Sequence, residues 1–273
     1  MTEAPHSTSA TGGAPILLSL KGVSKAFGAN QALSGVDFEI DAGEVVALVG
    51  DNGAGKSTLV KACAGVQLAD EGTFSFKGKP VKISSPQDAT ELGIATVYQD
   101  LALCDNLDVV ANLYLGRELF AKGAARAAYF IDETTMEQSA LELLDSLAVT
   151  TIKDVRAPVG SLSGGRRQAV AIARSLLGEP SVVLLDEPTA ALGVSQTEQV
   201  LSLIGTLRDR GLGVLVISHN LENVFAVADR IIVLRLGRRA ATFDVRGVSR
   251  EDVVSAITGA EFGAEDGNHK EDA

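Results

Sequence analysis

The stretch Gly50-Asp51-Asn52-Gly53-Ala54-Gly55-Lys56-Ser57 decides how this sequence is read. It spells a complete G-x-x-x-x-G-K-[ST] loop. Glycines let successive backbone N–H groups turn inward around a phosphate, and the helix that follows adds its positive N-terminal end. Lys56 supplies a point charge for β- and γ-phosphates, and the Ser57 hydroxyl can ligate Mg²⁺. The flanks agree. Residues 44–49 are nearly all apolar, as expected of a central strand covered on both faces. Residues 58–63, from Thr58 on, read as a helix. Strand, loop and helix in that order predict a nucleoside triphosphate site.

A second element lies downstream in Ser181-Val182-Val183-Leu184-Leu185-Asp186-Glu187. An apolar strand that ends in two carboxylates is unusual, because a buried strand end is a costly place for charge. A phosphate loop needs a carboxylate for Mg²⁺, and Asp186 is placed to hold the ion, usually through water. Glu187 can polarise the attacking water as general base.

Outward from these motifs, strand-like and helix-like segments alternate from Ile16 onward, favouring an α/β fold with a largely parallel core sheet. Val36, Phe38 and Ile40 alternate with polar residues, the pattern of a half-buried strand. Residues 73–76 and 81–83 flank Gly78-Lys79-Pro80, a hairpin signal. Ser195 with Glu198, and Thr134 with Glu137, fit capping boxes. After Ser195, Val200, Ile204 and Leu207 share one helical face, and Gly211 ends that helix. From about residue 100 to 165 the strand alternation vanishes. Residues 134–147 there form an amphipathic helix with Met136, Leu141, Leu144 and Leu147. This stretch reads as a helical insertion.

Composition sets the outer limits. In 273 residues, 46% are hydrophobic and 22% charged, which suits a globular chain with a real core. Lys and Arg total 24 against 35 acids, a net charge of −11. Such a surface repels phosphate backbones at long range and argues against a general nucleic-acid binder. No apolar run approaches the ~20 residues of a membrane-spanning helix. Cys63 and Cys104 are too few for a disulfide framework and read as reduced thiols of a cytosolic protein. His6, His219 and His269 are too scattered for a metal site. Residues 1–14 lack a positive or apolar signal region and read as a flexible lead-in. Residues 261–273, with five acids and one Lys, read as an acidic tail.

Taken in order, Lys56, Gln99 in Val97-Tyr98-Gln99, Leu162-Ser163-Gly164-Gly165, Asp186-Glu187 and His219 in Ile217-Ser218-His219 resemble the nucleotide-binding subunit of an ATP-binding cassette transporter. The likeness runs from about Leu17 to Gly259. It implies a P-loop NTPase core with a mostly parallel sheet, an N-terminal antiparallel β part and an inserted helical subdomain. One ATPase domain then spans residues 15–260. Gln99 matches the glutamine that touches Mg²⁺ and water and relays contact with the membrane partner. Ser163, Gly164 and Gly165 match the signature that binds the γ-phosphate of ATP held by the other subunit. A Ser N-cap and two glycines suit close approach to an anion. His219 matches the switch histidine at the γ-phosphate, and Phe27 the aromatic that stacks on adenine.

Two positions depart from the family pattern. Arg166 takes the fifth place of the signature, where Gln is usual, and Arg167-Gln168 follow. Gly193 stands where many members carry an Asp that crosses the dimer interface. Neither departure touches the groups assigned to Mg²⁺ or water, so an active ATPase is expected. Residues 101–107 and 112–118, with Pro188-Thr189-Ala190-Ala191-Leu192-Gly193-Val194, are similar to bacterial simple-sugar importers of the ribose, xylose and fructose type. The resemblance therefore implies a subunit at the cytoplasmic face of the inner membrane that binds ATP and Mg²⁺. Its partners would be transmembrane permeases, a second ATPase subunit in a homodimer and, indirectly, a periplasmic or lipid-anchored sugar-binding protein. An exporter subunit, or an importer for another small solute, is the alternative. A P-loop kinase or GTPase would share only the first motif, and a cassette-built translation or repair factor would bring a second cassette or a long coiled coil.

Overall fold

The computed structural model describes residues 14–121 and 130–260. The proposed lead-in, the acidic tail, His6 and His269 lie outside the described residues or, for Ala14, at their edge. Two sheets organise the chain. The first is antiparallel, in the order β2-β1-β4-β5, from β1 (Ile16–Phe27), β2 (Asn30–Asp41), β4 (Glu71–Phe76) and β5 (Lys79–Val81). The second has the order β10-β9-β3-β8-β7-β6. It comprises β3 (Val45–Val49), β6 (Ile94–Val97), β7 (Val182–Asp186), β8 (Gly213–Ile217), β9 (Arg230–Arg235) and β10 (Arg238–Asp244). Its strands pair in parallel except β9 with β10. The α/β reading holds.

Side-chain alternation along β3 shows why its five residues are all apolar. Val45, Ala47 and Val49 join one core, and Val46 and Leu48 the other. Strands β7, β8 and β9 split the same way, with Leu185, Val216 and Val233 on one face and Leu184, Ile217 and Ile232 on the opposite face. A parallel strand covered on both faces has no polar side to show. One face packs on the antiparallel sheet, through Leu18, Leu20, Val36, Phe38 and Ile40, and on Leu59, Val60 and Cys63 of α1 (Lys56–Cys63). The other face carries the remaining large helices: α4 (Glu133–Ser146), α5 (Gly164–Leu176), α6 (Val194–Asp209) and the short α3 (Val109–Tyr114). Helix α2 (Pro86–Leu92), capped by Ser85, leads into β6, while α7 (Leu221–Val227) and α8 (Arg250–Thr258) follow β8 and β10.

Some local expectations need correction. The tight turn between β4 and β5 is Lys77-Gly78, with φ of 50° and 74°, so Lys79 and Pro80 already belong to the edge strand β5. Pro is tolerated there because an edge strand need not donate on both sides. Neither expected capping box forms. Helix α4 is capped by Asp132, which accepts from Thr135 N–H, and α6 starts after Gly193 without a side-chain cap. Met136, Leu144 and Leu147 are buried as expected, but Leu141 is 45% exposed and Ala140 takes the inward position. The capping box that does form is Ser249 with Asp252, at α8.

Candidate active site

The carboxyl ends of four neighbouring strands converge on one edge of the larger sheet, which is where ligands bind in open α/β sheets. From β3 comes the loop 50–57, from β8 His219, from β7 Asp186 and Glu187, and from β6 Gln99. Register keeps them level: Asp186 pairs with Ile217, and Leu48 with the same Ile217. The resulting cavity is lined by Phe27, Asn30, Ala32, Asn52, Gly53, Ala54, Gly55, Lys56, Ser57, Thr58, Gln99, Asp186, Glu187 and Ile217.

Packing dictates the loop glycines as strongly as ligand approach does. Gly50 and Gly55 have φ of 150° and 105°, and Gly55 is the N-cap of α1 in a left-handed conformation. A Cβ on Gly55 would sit 2.5 Å from Ala32 O, and one on Gly50 would meet Leu234 O. Only glycine fits both. Lys56 Nζ bends back over the loop and donates to Gly50 O at 2.6 Å and Asp51 O at 2.9 Å. Its burial holds the ammonium below the ordinary lysine range, against the opposing pull of Glu187, Asp51 and Asp186.

Asp186 behaves oppositely. Burial first, and the neighbouring Glu187 second, raise its carboxyl above the usual range, while Lys61 and Lys56 partly offset this. Among the described residues no group of three or more His, Cys, Asp or Glu could hold a metal. Of the oxygen-bearing side chains that line the cavity, the sequence reading assigns the metal a hydroxyl (Ser57), a carboxylate (Asp186) and an amide (Gln99), with Glu187 beside them. That is a hard, all-oxygen set with few protein ligands, the kind that suits Mg²⁺ shared with phosphates and water.

Glu187 sits just past β7 with φ of 51°, a left-handed conformation for a non-glycine residue, and its N–H donates to Ile217 O at 3.0 Å. Strain of this kind persists where the surroundings fix it, often at functional sites. Its Oε2 lies 2.9 Å from Nδ1 of His219, whose side chain is 74% exposed. His219 thus reaches the site through Glu187.

Phe27 ends β1 and is 45% exposed at the cavity rim, with Lys25 Nζ 5.6 Å from its ring centre. It is no core residue. The signature residues stand apart. Ser163, Gly164 and Gly165 open helix α5 and do not line this cavity; Gly164 borders an adjacent cleft that also touches Gln99, Glu187 and Ala190–Leu192. Arg166 is exposed, and Arg167 reaches Asp105 at 3.9 Å. Gly193 is the N-cap of α6 with φ of −73°, and a Cβ there would meet nothing within 4 Å, so neither strain nor crowding demands glycine.

Sequence reasoning missed three participants: Asn30 and Ala32, which line the cavity from β2, and Lys61, which faces Asp186. Lys61 carried a signal, four residues after Ser57 on the same helix face. The other two reach the cavity only through sheet packing. Cys63 is fully buried and its thiol is pushed up to about 12, so it is inert.

Most of the chain is similar to known proteins. A family model described as ABC transporter matches residues 33–190. The fructose import ATP-binding protein FrcA of Rhizobium meliloti is 44% identical over 246 residues, covering 89% of this chain and 94% of that protein. The xylose/arabinose import ATP-binding protein XylG of Sulfolobus acidocaldarius is 48% identical over 222 residues, covering 81% and 86%. A solved dimer of an ATP-binding cassette in a post-hydrolysis state, bound to ADP and Pi, superposes with a TM-score of 0.69 at 27% identity, covering 85% of this chain and 100% of that one.

Proposed function

Because the chain belongs to the ABC transporter family, as an ATPase of its ATP-binding cassette type, we propose that it powers an importer of a simple sugar. The observation that carries the chemistry is the convergence of the phosphate loop, Asp186, Glu187 and His219 at the ends of adjacent parallel strands. The sugar assignment is supported by the relatives named for fructose and for xylose/arabinose import.

In this reading the loop 50–58 wraps the β- and γ-phosphates with backbone N–H groups. Lys56 turns from its carbonyl partners toward the phosphate oxygens. Phe27 stacks on adenine, offering an exposed ring at little conformational cost. Ser57, Asp186 and Gln99 hold Mg²⁺, which when bound neutralises charge on the phosphate oxygens. Glu187 accepts the proton of the attacking water, and His219 fixes the rotamer of that carboxylate from its open side. Ser163, Gly164 and Gly165 lie outside this cavity, so they serve the nucleotide of a second copy of the chain. Residues 15–260 act as one ATPase domain, with 100–165 as its helical subdomain.

Among the described residues no helix is long and apolar enough to cross a membrane. In this reading the chain works with transmembrane permease subunits, under which a homodimer docks at the cytoplasmic face of the inner membrane, with a sugar-binding protein on the far side. The test is ATPase activity in proteoliposomes that hold the partner permease, challenged with binding protein carrying a panel of sugars. Stimulation by one sugar class is the expected result. Stimulation only by non-sugar solutes would overturn the assignment.

A further inference from the structure

Two neighbouring strands release the base and the histidine beside it: Glu187 follows β7 and His219 follows β8. Each then enters a rigid local unit. After Glu187 the chain turns tightly. Ala190 N–H donates to Glu187 O at 3.1 Å, and the buried Pro188 stands second in that turn, where its fixed φ is suited. Thr189 therefore holds a set place relative to Glu187. After His219 the chain enters α7, whose start is closed twice. The Asn220 side chain accepts from Glu222 N–H and Asn223 N–H, at 2.9 and 3.3 Å. The Asn220 N–H itself donates to the buried Ser218 hydroxyl at 3.1 Å. Asn223, in the first turn of α7, is thereby fixed relative to His219.

A side-chain bond joins the two units. Asn223 Nδ2 donates to Thr189 Oγ1 at 3.0 Å, and both side chains are half-buried. Neither residue lines the nucleotide cavity. The bond from Glu187 N–H to Ile217 O joins the segments before His219 is reached, and the Asn223–Thr189 bond joins them beyond it. His219 lies between the two ties. Its side chain is 74% exposed, so little packing aims the ring, and its direction depends on the backbone beneath it. We propose that Asn223 and Thr189 are positioning residues: their bond clasps α7 to the turn after Glu187 and sets the His219 imidazole at its distance from the Glu187 carboxylate. This rests on the reading of Glu187 as base and of His219 as the group that orients it. A loosened clasp leaves nucleotide binding alone and spoils the geometry of the step, where small displacements are costly.

Steady-state ATPase assays on the full chain, with ATP affinity measured alongside, test the clasp. Asn223→Ala removes the donor but keeps the cap of α7, which uses the backbone N–H at that position. Thr189→Val removes the acceptor and keeps the branched shape. Each is expected to lower kcat about tenfold, inside the ~100-fold that a misplaced group can cost, with ATP affinity changed by less than about twofold. The double variant falls no further than either single one, because both remove the same bond. Thr189→Ser keeps the hydroxyl and stays within about twofold of native turnover. The deciding comparison is made in a His219→Ala background. There Asn223→Ala changes kcat by less than about twofold, since no imidazole is left to place. Native kcat in Asn223→Ala, or a loss that falls on ATP affinity instead, overturns the proposal. Native turnover in His219→Ala overturns the reading of the histidine and the proposal with it. If His219→Ala lowers kcat and Asn223→Ala still adds its full loss, that reading stands and the clasp alone is refuted.

Discussion

His219 Nδ1 and Glu187 Oε2 stand 2.9 Å apart, although the residues leave different strands and the glutamate is half-buried where the imidazole is exposed. The exposed imidazole holds the carboxylate from the solvent side, while the backbone of Glu187 is fixed from beneath by Ile217. A base restrained at both ends points one way. Glu187→Gln is expected to keep ATP binding and lower turnover by at least about 100-fold, because it removes the proton acceptor alone. His219→Ala, which frees the rotamer without removing the base, is expected to cost about 100-fold in kcat through misplacement. Steady-state ATPase assays beside nucleotide-binding titrations separate the two effects. Near-normal turnover in Glu187→Gln would remove Glu187 from the role.

Asp186 gives a prediction in which stability and activity part company. Burial and Glu187 raise its folded-state carboxyl above the unfolded value of about 3.9. A raised acid pKa means that the ionised form is disfavoured in the fold. The penalty is therefore fully present at neutral pH and vanishes as pH falls through the folded-state value toward the unfolded one. No hydrogen bond to the Asp186 side chain would be lost among the described residues. Asp186→Asn is expected to melt higher than the native protein near pH 7, with the gap closing as pH approaches 4, and to lose ATPase activity. Thermal melts across that range check it, and a lower Tm at pH 7 would contradict it.

Arg230 and Glu44 fasten the start of β9 to the turn before β3. The guanidinium donates to both carboxylate oxygens, at 2.7 and 2.8 Å, and again to Glu39 O at 3.0 Å. Glu44 in turn holds the guanidinium above its ordinary range. Breaking a fully buried pair costs several kcal/mol, and this one retains some solvent, so Glu44→Ala is expected to cost about 1–3 kcal/mol. A shift in denaturation midpoint at constant slope would show it. Because the pair lies away from the cavity, nucleotide affinity per folded molecule should not change.

The legible parts of this sequence are the local ones. The phosphate loop, the apolar run into Asp186-Glu187 and the alternation of Val36, Phe38 and Ile40 each state their role within a few residues. Helix starts are less legible where two candidate caps compete. Asp132 outbid Thr134 because its carboxylate reached the Thr135 N–H, and the chain entered α6 at Gly193 before Ser195 could cap it. Ala140, fully buried, takes the inner face of α4 and leaves Leu141, one residue on, 45% exposed. Pairings such as His219 with Glu187 and Asn223 with Thr189 depend on which strands become neighbours and how helices pack. No spacing along the chain announces that.

If each ATP is shared between two copies of this chain, as proposed, complementation between dead variants reveals it most directly. Lys56→Ala disables the phosphate loop, and Ser163→Arg blocks the signature end of α5, so either homodimer has two disabled sites. In a mixed dimer both lesions fall on one site. The other site pairs the intact loop of the Ser163→Arg chain with the intact signature of the Lys56→Ala chain. Mixing the two proteins is expected to restore one interfacial ATP per mixed dimer, counted by equilibrium binding on dimers isolated through two different tags. Mixed dimers recovered in that way, yet holding no more ATP than either parent, would contradict the shared site.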